Sequence, residues 1–202
     1  MCLPAVYHKI ALTATALGKS RKAKFARKKA ESFDPAYKSD YLDLAMLHFR
    51  RKNYDKALLA LAKGEQNFLA LFIKALIYTG KKQFDLARRI GEKLLNRPEL
   101  LEEEKAYLTA FIGSCLIEEK DFENALACFE KAVFYCPDNP VYYQEAGVCA
   151  RELGDLEKSQ KLLRKSLRIA GEWIGSAHAH LTLAEIYQAQ GKKALAQVEY
   201  EI

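Results

Sequence analysis

The stretch Ala106–Asn139, AYLTAFIGSCLIEEKDFENALACFEKAVFYCPDN, decides how the rest of the chain is read. Ile112 and Leu116 share one helical face, four residues apart, and Ala125 and Phe129 share another. Between them Lys120-Asp121 supplies a short polar turn, and Pro137 closes the unit. The pattern is that of two antiparallel helices. Gly113 and Ala125 stand where the helices cross, because only a small side chain lets two backbones approach there.

Working outward, the same small residue recurs as Ala11, Ala45, Ala75, Gly113, Gly147 and Ala184, at spacings of 34, 30, 38, 34 and 37. Twelve residues after each comes a second series, Ala23, Ala57, Ala87, Ala125, Ser159 and Ala196, in the same steps. A third follows seven later: Ala30, Gly64, Leu94, Ala132 and Ser166. Large residues such as Tyr41, Leu71, Tyr143, Leu61 and Leu163 fill the gaps around the crossings. Turns fall at Gly18-Lys19, Lys52-Asn53, Lys81-Lys82-Gln83, Lys120-Asp121, Gly154-Asp155 and Gly191-Lys192. Six helix-pair units therefore begin near residues 4, 38, 68, 106, 140 and 177, in one all-α domain over residues 1–202.

This arrangement resembles the tetratricopeptide repeat, a helix-turn-helix of 34 residues. The resemblance implies a right-handed superhelical solenoid whose first helices line a concave groove. It also implies a protein-binding scaffold, without naming a partner. Three departures stand out. The second unit is short, breaking at Gly64-Glu65-Gln66-Asn67, where Gly and Asn suit a helix end. Pro98–Glu104 reads as an added first turn on the next helix, its glutamates matched to the helix dipole. An insertion at Gly171–Ser176 carries the single Trp, Trp173, expected to plug a gap between units. Lys74 and Arg27 occupy positions where an apolar side chain is usual, so long side chains that snorkel outward are expected. The sixth unit stops at Ile202 inside its second helix, which leads to the expectation that the native chain runs further or that this end pairs with another chain.

Half of the 202 residues are apolar and 29% are charged, which excludes a disordered or low-complexity chain. The five cysteines, Cys2, Cys115, Cys128, Cys136 and Cys149, form no CxxC pair. Buried or free thiols of a reducing, cytoplasmic setting are expected, rather than a zinc site or a disulfide framework. No apolar run nears the length of a membrane span. Catalysis is not expected: the histidines are scattered, and no phosphate loop, nucleophile elbow or carboxylate pair occurs. No cofactor or metal is expected either.

The candidate peptide-binding groove takes the helix face opposite the crossings. It comprises Leu42, Met46 and Phe49, then Leu69, Phe72 and Leu76, then Tyr107, Ser114 and Ile117 with Ala110. The later units are more polar there, with Gln144, Val148, Arg151, His178, Glu185 and Gln188. Phe68 to Tyr78 is apolar nearly all round, so it is either buried on every side or open to an apolar partner. The expected function is non-enzymatic: capture of an apolar or amphipathic segment of another protein. That is similar to repeat chaperones of secretion substrates and unlike the cationic clamps that grip acidic C-termini. The alternatives are a scaffold that self-assembles into a homo-oligomer through its repeat ends, and a module using the basic segment Lys19–Lys29.

In that segment Lys19, Arg21, Lys22, Lys24, Arg27, Lys28 and Lys29 make seven of eleven residues cationic. An acidic protein, an anionic membrane or a nucleic acid would suit it, but a solvated outer helix of a terminal unit is the favoured reading; the membrane is disfavoured, and so is the nucleic acid, for want of interleaved aromatics or a groove-reading element. The segment holds most of the net charge of +6: up to Tyr37 there are eight basic and two acidic residues, and beyond it 24 of each.

Overall fold

The structure is a computed structural model that describes residues 21, 40–62, 64, 66–171 and 177–201. Ten helices cover most of these residues: α1 (Asp40–Arg50), α2 (Tyr54–Ala62), α3 (Phe68–Gly80), α4 (Phe84–Leu95), α5 (Glu102–Glu118), α6 (Phe122–Tyr135), α7 (Pro140–Glu152), α8 (Leu156–Ala170), α9 (Ala177–Ala189) and α10 (Lys193–Glu201). No strand occurs among the described residues. The backbone groups into two compact units, Met1–Lys81 and Lys82–Ile202, with α1–α3 in the first and α4–α10 in the second.

In the first unit α1 packs on α2, and α3 packs on both. Its core joins Leu42, Ala45, Ala57, Leu61, Ile73 and Ile77. Ala45 and Ala57, taken from the sequence as crossing residues, are fully buried. Asn67 caps α3: its Oδ1 accepts from the Ala70 N–H at 2.9 Å. The break expected over Gly64–Asn67 is present, α2 ending at Ala62, but Asn67 is corrected from the end of that helix to the start of the next. Asn67 begins the next, while Gln66 Nε2 donates to the Leu61 carbonyl and closes α2. Gly64 is needed for room, since a Cβ there would lie 2.3 Å from the Tyr41 ring.

In the second unit each helix packs on its successor from α4 to α10. One core cluster centres on Phe129 with Ile112, Leu116, Tyr142 and Cys149; the next centres on Leu163 with Leu183, Ile186 and Tyr187. Phe129 and Leu163 are 1% and 0% exposed, each contributing about 1.5–3 kcal/mol by burial. The crossings are as tight as the small residues imply. A Cβ on Gly113 would lie 2.9 Å from the Phe129 ring, and one on Gly147 would lie 2.8 Å from Leu163 Cγ. The added turn on α5 is present but shorter than expected. The helix starts at Glu102, Pro98–Leu101 lie outside it, and Glu104 accepts from the Leu101 N–H at 3.0 Å.

Every turn inside a described helix pair is built alike. Seven residues after the crossing, the backbone turns left-handed at Lys52, Lys82, Lys120, Gly154 and Gly191, with φ of 57°, 59°, 62°, 82° and 72°. After Lys52, Lys120, Gly154 and Gly191 the next residue donates back into the first helix, as Asp121 does to Leu116 and Asp155 to Ala150. Asp121 and Asp155 then cap the second helices through Asn124 and Lys158.

Candidate functional site

In the first unit the candidate groove residues lie mostly against the core. Leu42 is 2% exposed and belongs to the core itself, so the assignment of Leu42 to a contact surface is corrected. Met46, Phe49 and Leu69 are half-buried against that core, Phe49 within 6.0 Å of the Tyr54 ring. Phe72 and Leu76 are half-buried, and no residue of α3 is fully exposed. The helix that is apolar all round thus buries Ala70, Leu71, Ile73, Ala75 and Ile77 and leaves its other residues half-buried. Lys74 snorkels, its ammonium 6.0 Å from the Tyr78 ring centre.

In the second unit Tyr107 is 53% exposed. Ser114 is exposed, but its hydroxyl donates to the Ala110 carbonyl at 3.1 Å and so serves its own helix. Ile117 is half-buried against the core. The neighbouring first helices α7 and α9 are tied to each other. Gln144, 9% exposed, places Nε2 3.1 Å from His178 Nδ1. Arg151 pairs with Glu185 across the helices and with Glu152 beside it. Its guanidinium is therefore shared between two carboxylates, which leaves little positive potential for an incoming one. The sequence marked these positions as polar without pairing them. The signal was there: 144 and 178, and 151 and 185, are each 34 apart.

Of the basic segment only Arg21 is described, as helical and exposed. Lys19, Lys22, Lys24, Arg27, Lys28 and Lys29 lie outside the described residues, as do His8, Cys2 and Trp173. His180 Nδ1 is 2.7 Å from Glu199 and links α9 to α10, a structural use. Cys115 and Cys149 are buried and take part in no disulfide, and burial pushes the Cys149 thiol up to about 12, far from a thiolate nucleophile at neutral pH. Cys128 is pushed up for the same reason. It borders a cavity of about 460 Å³ between α4, α5 and α6, where Arg88 pairs with Glu92 and Glu119. Among the described residues no group of three His, Cys, Asp or Glu side chains is placed to hold a metal ion. No described helix is long and apolar enough to cross a membrane.

Tandem antiparallel helix pairs, small residues at their crossings and a repeated left-handed turn define a helical-repeat scaffold of the protein-interaction class. Residues 104–139 and 140–172 match the tetratricopeptide repeat family. Among curated proteins it is similar to the uncharacterized protein ycf37 of Cyanophora paradoxa, 29% identical over 101 residues that cover 50% of this chain and 54% of the relative. The chain thus spans about half the length of that relative. Among solved structures it is similar to MamA of Desulfovibrio magneticus RS-1, with a TM-score of 0.68 and 20% identity over 83% of this chain and 92% of that one. PilF of Pseudomonas aeruginosa gives 0.70 and 16%, covering 98% and 95%. YrrB, a tetratricopeptide-repeat protein described as having an unusual peptide-binding site, gives 0.60 and 19%, covering 86% and 89%. At these identities the structures establish a shared fold.

Proposed function

We propose that the protein is a non-enzymatic scaffold that holds an apolar or amphipathic segment of a partner protein against its first helices. The observation that carries this reading is the contrast within the second unit. The aromatic Tyr107 stands open to solvent, while Arg151, the cation at the candidate groove positions of α7, is held by Glu152 and Glu185. A face with an open aromatic and a matched charge favours apolar anchors over a partner's free carboxylate. In the first unit Met46, Phe49, Leu69, Phe72 and Leu76 offer half-buried apolar edges of the same kind. The peptide-binding site for which YrrB is described is in keeping with such a use.

The test is a photo-crosslinking side chain placed at Tyr107 in the full chain, with Lys161 on the outer face of α8 as control. Crosslinks to one defined partner segment from position 107 and none from 161 are expected. Crosslinks from 161 alone would reject the groove.

A further inference from the structure

One edge of the second unit carries a pattern that the groove reading does not use. Antiparallel alternation gathers there the start of α5, the end of α6, the start of α7 and the end of α8. Three contacts fix the edge. Lys105 Nζ lies 6.0 Å from the Tyr135 ring centre, Ser166 Oγ donates to the Pro140 carbonyl at 2.7 Å, and Lys165 Nζ lies 5.6 Å from the Tyr143 ring centre.

Along this edge the charge changes sign. At the α5 end, Glu99, Glu102 and Glu103 are exposed around Leu101, itself 68% exposed. Glu102 is held only loosely, 3.9 Å from Lys105. At the α8 end, Arg164, Lys165 and Arg168 are exposed. The sequence of α8 holds five cations against the single Glu157. Lys158 and Lys161, toward its other end, are already paired with Glu130 and Glu157, and Arg164 donates to the Tyr187 hydroxyl, so the cations left for a partner are Lys165 and Arg168 at this edge. Between the two patches stands Phe134, 79% exposed. It occupies on α6 the register that Arg168 occupies on α8, nine residues after Ala125 and Ser159 respectively.

An edge that runs from acid through an aromatic to base is complementary to itself when turned about a two-fold axis. The acidic patch of each copy then meets the basic patch of the other, and the two Phe134 rings meet near the axis. We propose that this edge is an isologous interface that pairs two copies of the chain. An acidic peptide would match the α8 cations but leave Phe134, Leu101 and the glutamates uncovered. A polyphosphate backbone would be repelled by the exposed Glu99, Glu102, Glu103 and Asp138 on the same edge. A second copy covers all three patches at once.

The experiment is sedimentation equilibrium of the full chain over a concentration series, at ionic strengths from about 0.01 M to about 1 M, where the Debye length falls from about 30 Å to about 3 Å. A dimer that weakens with salt is expected. The pairs Glu99→Lys with Glu103→Lys, and Lys165→Glu with Arg168→Glu, should each weaken it roughly tenfold or more, because each reversal acts twice in a two-fold pair. An equimolar mixture of the two variants should restore it as a heterodimer. Phe134→Ser, at an exposed position that the fold does not need, should weaken it as well. A wild-type chain that stays monomeric throughout, a dimer indifferent to both reversals, or a mixture that fails to re-associate would overturn the proposal. A monomer that binds a polyglutamate peptide, and loses it in the Lys165→Glu, Arg168→Glu variant, would overturn it too and assign the basic patch to an acidic partner.

Discussion

Ser159 Oγ donates a 2.7 Å hydrogen bond to the carbonyl oxygen of Gly147, twelve residues back and across the α7–α8 crossing. The two residues belong to the two small-residue series that define the repeat, and their contact shows why both must be small. Gly147→Ala would put a methyl 2.8 Å from Leu163 Cγ and 3.4 Å from the Ser159 carbonyl oxygen. The expected cost is about 1–3 kcal/mol of overpacking, offset in part by about 1 kcal/mol of helix propensity. Ser159→Ala should cost about 1 kcal/mol through the lost buried bond. Chemical denaturation of each variant checks both values.

The left-handed turn is occupied by lysine in three described repeats and by glycine in two. A side chain there costs about 1–2 kcal/mol of backbone strain. Lys120→Gly should therefore raise the denaturation midpoint. Gly154→Ala should lower it, even though nothing lies within 4 Å of the new methyl. Equal midpoints for the two variants would contradict this account of the turn.

The Cys149 thiol gives stability a defined pH dependence. Its pKa rises on folding from 9.0 to about 12 through burial, so the folded chain keeps a proton that the unfolded chain loses first. The contribution is complete below about pH 9 and is lost as pH climbs toward about 12. Relative to Cys149→Ala, the wild type should lose stability across that window by up to about 1.4 kcal/mol per pH unit. A thiol reagent at neutral pH should leave Cys149 unmodified until the chain unfolds.

The fold was legible because its signal is periodic. Gly113, Gly147, Ala125 and Ser159 are small for a geometric reason that repeats every unit. The candidate site was legible only in part. Leu42 has the composition of a contact residue but the position of a core residue, a difference set by how α1 packs on α2 and α3. The Gln144–His178 and Arg151–Glu185 ties left a signal in their 34-residue spacing, but that the side chains touch depends on how α7 and α9 pack. Asn67 was read on the wrong side of a break because asparagine suits either end of a helix. Phe134 carries an ordinary core side chain on an outer position, and the contrast with Arg168 becomes visible only once the two helices are aligned.

The central claim is that a partner is held by apolar contacts on the first helices. Its most direct test is the affinity of an amphipathic partner segment for the full chain, measured by calorimetry against ionic strength, for wild type and Tyr107→Glu. Tyr107 is 53% exposed, and the circular dichroism of the variant checks that its fold is kept. An affinity nearly flat with salt is expected, falling roughly tenfold or more in the variant. Binding that drops steeply with salt and is unchanged by Tyr107→Glu would contradict it.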